Sequence, residues 1–303
     1  MLAVFQRIPA RRRAVAVLAA LPLGIGMACW WFTEPLDPPA ASASRDSDPA
    51  PPPPAPPVAK LEWPAARLDG QPAKSRLLDL LLSARRRLDR VRGYTATFRR
   101  QERIGGKLGP EQVLRLKSRP DPFAIYLKFE SPQPGKEVVF ARGRHDDKLV
   151  AHSGDWKDRL IPRVRLDPRG ALALADSRHP ITEAGLVNLT DRLLGYRRLD
   201  LSDPGAVTVL DRVVDPDGAP RLRSVHTHPV RKPDRPFARV EVLYEPETFL
   251  PLQISNYDWP EPGQAAGEPR LAERYGYQGL DLDARLTDLD FDPANPAYAF
   301  SRF

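Results

Sequence analysis

The densest group of reactive side chains in this sequence is Asp176-Ser177-Arg178-His179-Pro180-Ile181-Thr182-Glu183, which sets a hydroxyl, an imidazole, a guanidinium and carboxylates side by side. Nucleophilic catalysis would require a base within hydrogen-bond reach of Ser177 and a third group orienting that base. Ser177 and His179 are separated by one residue, and neither stands in a Gly-x-Ser-x-Gly elbow. A plainer reading makes Ser177 or Thr182 a helix cap and places Glu183 in the first turn. Ser177, Arg178, His179 and Glu183 form a candidate polar site; a hydrolase centred on His179 is the enzymatic reading, and a non-enzymatic protein the preferred one.

Metal chemistry has two candidate sources. His226 and His228 would project to one face of a strand, with His145 and His152 as further imidazoles, but no third ligand stands near the pair. Asp288, Asp290 and Asp292 open like a calcium loop; Pro293 then stands where glycine is needed and Ala299 where glutamate is needed. That segment is expected to be a strand with an acidic outer face. The sequence also lacks a Walker loop and a dinucleotide fingerprint, so no cofactor and no metal is expected.

The elements that would position these residues begin after an unusual N-terminus. Arg7, Arg11, Arg12 and Arg13 precede the uncharged stretch Ala14 to Phe32, the order read by export machinery. As a helix that stretch would span roughly 28 Å, close to the hydrocarbon core of a bilayer. A retained signal anchor over residues 1–33 is the first expectation. Cleavage near Ala41-Ser42-Ala43 and lipidation at Cys29 stay open as alternatives. Residues 34–73, with Pro51 to Pro54 and Pro56-Pro57, read as a disordered linker, and some 25 residues of it between Glu34 and Lys60 could reach roughly 75 Å in a polyproline II state. The domain proper is expected over 74–303, inner-membrane anchored and facing the periplasm or extracytoplasmic space.

Cys29 is the only cysteine, so no internal disulfide can form and the domain must hold itself with a core. Lys and Arg number 46 against 39 Asp and Glu, a formal +7, and the N-terminal arginines supply four of those positives. No compact basic stripe remains, and nucleic acid is not an expected partner. The membrane is the expected partner of the N-terminal segment, with a lipid, a lipoprotein or an envelope protein as partners of the domain.

Leu77, Leu81, Ala84, Leu88 and Val91 repeat at helical spacing, predicting a helix over Ser75 to Arg92 with Gly93 in the left-handed C-terminal position. From Tyr94 the period becomes two, through runs containing Phe98, Leu114, Leu116, Ile125, Leu127, Phe129 and Val139. These seven are the candidate lining of an apolar site, or else ordinary sheet core. Helices are expected at Arg169 to Ser177 and Thr182 to Leu194, followed by strands from Val207 to Tyr277.

Several phrases resemble known exported proteins. Tyr94-Thr95-Ala96-Thr97-Phe98 with Gln101, Leu114 to Pro122, Pro134-Gly135 before a strand, and Glu245 to Leu252 are similar to segments of the periplasmic lipoprotein-carrier fold. Gly135 to Phe140, Arg178 to Gly185 and Asn295 to Phe300 resemble the DUF1571 family of exported bacterial proteins of planctomycete type. The resemblance implies a mainly β (α+β) fold, a curled antiparallel sheet or half-barrel with an N-terminal helix and an inserted helical pair packed on it. It further implies a non-enzymatic envelope protein holding an acyl chain, lipoprotein or other apolar ligand. A sensory or scaffolding module with a solid core is the alternative.

Overall fold

The alternation that starts at Tyr94 folds as antiparallel sheet, and a computed structural model describes residues 61–154, 163–215, 218–260 and 269–301 of the chain. The expected anchor, Cys29 and the proline runs lie outside the described residues. Among the described residues, no helix is long and apolar enough to cross a membrane.

In chain order the strands are β1 (Leu68–Asp69), β2 (Tyr94–Ile104), β3 (Lys107–Leu108), β4 (Gln112–Arg119), β5 (Ala124–Ser131), β6 (Glu137–Ala141), β7 (Leu149–His152) and β8 (Val164–Leu166). A second run follows: β9 (Val207–Val214), β10 (Pro220–Thr227), β11 (Arg239–Tyr244), β12 (Pro251–Tyr257) and β13 (Leu271–Asp281). The sheet order is β1-β9-β10-β11-β12-β13-β2-β4-β5-β6-β7-β8, with β3 paired to β2, so the sheet stays open at β1 and β8. Two meanders, β2 to β8 and β9 to β13, therefore meet along one seam where β13 pairs β2.

Helix α1 (Gly70–Leu88) buries Ala73, Leu77, Leu80, Leu81, Ala84 and Leu88 at no more than 2% exposure, the stripe the leucine spacing predicts. Each fully buried leucine is worth about 1.5–3 kcal/mol relative to an exposed one. The helix starts and ends earlier than its stripe predicts. Its C-cap is Asp89, and Gly93 has no left-handed backbone; a Cβ there would lie 3.1 Å from the Leu286 side chain, a tight contact that glycine avoids.

Residues 61–73, expected as linker, are built into the domain. Trp63 is buried, its ring 5.4 Å from that of Tyr244, and its Nε1 donates to the Asp211 carbonyl at 3.1 Å. β1 pairs with β9 and covers that edge.

The inserted segment is one helix rather than two. Residues 169–177 form turns, and α2 (Leu186–Leu201) runs through Gly195. Its start is set by Gly185 at φ 100, where the Leu186 N–H donates to the buried Tyr94 hydroxyl at 2.8 Å. α1 and α2 pack on the same face of the sheet and are joined by Arg85 to Asp191 at 2.7 Å. On the opposite face, Phe291, Tyr298 and Phe300 close a smaller core over Ala124, Tyr126, Val139, Ala141 and Val150. The expected acidic strand there is a 3-10 turn, Asp288–Phe291.

Candidate functional site

Between the helix-bearing face of the sheet and the chain that runs from Pro168 through α2 lie two adjoining cavities. The first has a volume of about 200 Å³ and an apolar floor of Phe98, Leu127, Phe129, Val138, Leu149 and Ala151 from β2, β5, β6 and β7. Leu172, Ala173, Ile181 and Leu189 close it from above. The second, about 430 Å³, lies beside α2 and is lined by Arg178, Arg192, Arg197, His228, Arg235, Phe237 and Val240 among others. His179, Glu183, Leu189, Arg192 and Ile254 belong to the walls of both.

The wall between them is held by a buried polar network on the seam. Glu102 of β2 and Glu273 of β13 stand directly opposite each other, 7% and 1% exposed, an arrangement that like charges oppose. The segment 176–183 supplies the compensation. Arg178 Nε lies 2.8 Å and His179 Nε2 2.9 Å from Glu273 Oε2, and Asn256 Nδ2 donates to Glu273 Oε1 at 2.7 Å. Tyr275 donates its hydroxyl to Glu102, and the Arg178 backbone N–H reaches the same carboxylate at 3.4 Å. Burial pushes the Glu273 carboxyl up, but the bonds and charges of His179, Asn256 and Arg178 outweigh it and hold it below its ordinary range.

The candidate polar residues thus gather, though not as a nucleophile and base. Ser177 donates its hydroxyl to the His179 backbone carbonyl at 2.8 Å, while the His179 ring is taken by Glu273. Arg100 holds Ser177 at 3.2 Å, and Glu183 pairs with Arg192 and with Arg169 at 3.2 Å. These contacts pin a strap across the sheet.

Of the seven candidate lining residues, Phe98, Leu127 and Phe129 line the first cavity. Leu114, Leu116 and Ile125 are at most 1% exposed in the core beside it. Val139 points to the other face. Its register partner is Tyr126, whereas Val138 pairs with the cavity-facing Leu127, so Val138 takes the position.

His226 and His228 both approach Asp200 of α2, at 4.0 and 3.9 Å, whereas His152 lies on the other face near Phe300 and His145 in the β6–β7 turn. Among the described residues no group of three His, Cys, Asp or Glu side chains is arranged to hold a metal ion. The carboxylates of Asp288 and Asp290 are instead taken by Arg119, Arg144 and Lys117.

Glu102, Glu273, Arg197, Asp200 and Arg235 were not singled out from sequence. For the glutamates a signal existed: Glu102 continues the inward phase of Tyr94, Ala96 and Phe98, and Glu273 that of Tyr275 and Tyr277. The Asp200 cluster joins α2 to the loop after β10, a contact no local pattern encodes.

No curated protein matches the chain. Solved structures similar to it include a DUF1329 family protein from Desulfovibrio piger, 14% identical over 73% of this chain and 97% of that one, with a TM-score of 0.36. A putative outer membrane lipoprotein-sorting protein domain from Vibrio parahaemolyticus is 12% identical, with 72% and 97% covered and a TM-score of 0.32. Lipoprotein LppX of Mycobacterium tuberculosis is 14% identical, with 70% and 99% covered and a TM-score of 0.39. A family model described as "Protein of unknown function (DUF1571)" matches residues 91–300, which spans the strap, both meanders and the second core, and the chain belongs to that family.

Proposed function

We propose that this protein is a non-enzymatic cell-envelope component that binds an acyl chain or a similarly apolar ligand between its sheet and the strap. The observation that supports the reading is the first cavity, whose floor of Phe98, Leu127, Phe129, Val138 and Leu149 presents apolar surface that the covering chain does not fill. Apolar surface left in this way favours an apolar occupant over water, which needs polar partners. The N-terminal segment, as an uncleaved anchor or as a lipidated Cys29, would hold the domain at the inner membrane on its extracytoplasmic side. An anchored domain would act locally.

Lipid extracted from the purified full-length protein and identified by mass spectrometry tests the reading. A copurifying acyl compound, or saturable uptake of a fluorescent fatty acid, is the expected result. Protein that is free of lipid and takes up no probe would leave the scaffolding alternative, in which the interior only packs. The hydrolase reading has less support, because Ser177 donates to the His179 backbone carbonyl rather than to its ring, whose Nε2 is bonded to Glu273 and whose Nδ1 faces Glu183 at 3.9 Å. Full-length protein inert toward ester, peptide and glycan substrates is expected.

A further inference from the structure

The second cavity differs in kind from the first. At its floor Arg197 and Arg235 are each 3% exposed and His228 is 5% exposed. The buried counter-charge is Asp200, at 3.1 Å from Arg197 Nε and 3.2 Å from Arg235 Nη2. Arg235 has a second partner, Asp234, but that carboxylate is half exposed and screened by solvent. Two buried guanidiniums thus share one buried carboxylate, and the arrangement leaves donors over. Arg197 Nε and Nη1, Arg235 Nε and His228 Nδ1 are buried without a hydrogen-bond partner, and both Asp200 oxygens meet the guanidiniums at ion-pair distance without hydrogen-bond alignment. Buried polar atoms in folded proteins are overwhelmingly paired, and one carboxylate cannot serve all the N–H groups of two guanidiniums, so guanidinium donors are left for a further acceptor.

The rest of the lining names its sign. Arg178 and Arg192 flank the cavity, so four arginines line it against one glutamate, Glu183. Glu183 already serves Arg192, and Glu273 behind the wall serves Arg178. Burial holds the Arg197 guanidinium below its ordinary value, with Asp200 opposing and Arg235 reinforcing that shift. Burial likewise lowers His228, again opposed by Asp200 and reinforced by both arginines. Added negative charge would relieve both groups. A cation would meet guanidinium, and a neutral sugar would leave the charge unbalanced; a phosphate matches the planar fork of arginine.

Resting on the apolar-ligand reading above, we propose that this second cavity receives the phosphate head group of a lipid whose acyl chain occupies the first. The shared wall at Leu189 and Ile254 puts head and chain sites side by side. The same donors could also take free phosphate, which the test separates.

Full-length protein is titrated with dodecyl phosphate and with dodecanol, both below their micelle concentrations, and with inorganic phosphate alone. Dodecyl phosphate is expected to bind about tenfold tighter than dodecanol or more, as a charge-assisted hydrogen bond supplies. In the double variant Arg197→Met with Asp200→Asn, which removes both signs together, the ratio of the two affinities should fall towards one. Arg192→Gln, at the half-exposed mouth, should lower the same ratio by a smaller factor and is a safeguard should the double variant not fold. Equal affinities for the two ligands, or a ratio unchanged in the variants that fold, would overturn the head-group site while leaving the apolar cavity standing. Inorganic phosphate binding as tightly as dodecyl phosphate would overturn the lipid and leave a free-anion site. Failure of all three ligands to bind would sink both readings.

Discussion

Two lengths of chain cover one face of the same sheet and leave it in different states. Under α1 the face is solid, with Leu77, Leu80, Leu81 and Leu88 all at most 2% exposed. Under the strap and the start of α2 it holds cavities. The side chains account for the contrast. α1 offers a leucine at nearly every inward position, whereas the strap leaves Leu172 76% exposed and meets the cavity with Ala173, Pro180 and Ala184 around the polar run from Asp176 to His179. Small and polar side chains cannot fill the volume that branched aliphatics fill. The strap is held instead by hydrogen bonds at its centre, from Ser177 to Glu183, so it can be fixed in place without being packed.

The contrast is broken most directly at α1. Leu81→Ala should cost about 2–5 kcal/mol, read from the midpoint of urea unfolding, because the solid region cannot collapse around the loss. A cost near zero would mean that α1 is no better packed than the strap. Tyr94→Phe should cost about 1–3 kcal/mol by leaving the buried Leu186 N–H without an acceptor. Hydrogen exchange at the first turn of α2 should quicken in that variant while α1 stays protected.

Ala151→Leu fills rather than empties. Its side chain would enter the first cavity, so stability should rise by about 0.5–2 kcal/mol while fatty-acid uptake falls. Destabilisation instead would show that the cavity is smaller in solution. The smallest effect expected is a pH dependence localised to the strap. Because the Glu273 pKa is lowered from its ordinary 4.5 on folding, the stability it contributes is present above that value and lost as pH falls through the lowered one. Thermal unfolding from pH 6 down to pH 3 should show this loss in the wild type. Glu273→Gln should flatten it.

How much of this was legible follows the same division. Period-two alternation from Tyr94 marked the runs that fold as β2, β4 and β5, because burial on one face imposes it on every second residue. The leucine stripe of α1 was equally plain. The strap was misread as helix from Arg169 to Ser177, since its alanines suit a helix locally while its turns are set by tertiary contacts to Glu102, Arg100 and Glu273. Val139 failed as a cavity residue through a one-residue phase in β6, where Val138 and Val139 are the same residue type and composition cannot choose between them. The Asp200 cluster was invisible because its members lie far apart in sequence, on α2 and around the turn after β10.

The seam between β2 and β13 carries a consequence for the order of assembly. Within each meander neighbouring strands are also neighbours in sequence, so pairing closes short loops. At the seam, Glu102 and Tyr275 meet across 173 residues. The entropy of closing so long a loop is met only when many contacts form together, and such pairings are slow. Two half-sheets that form early and zip together late, with the strap neutralising the facing glutamates as they meet, is the folding route this topology favours.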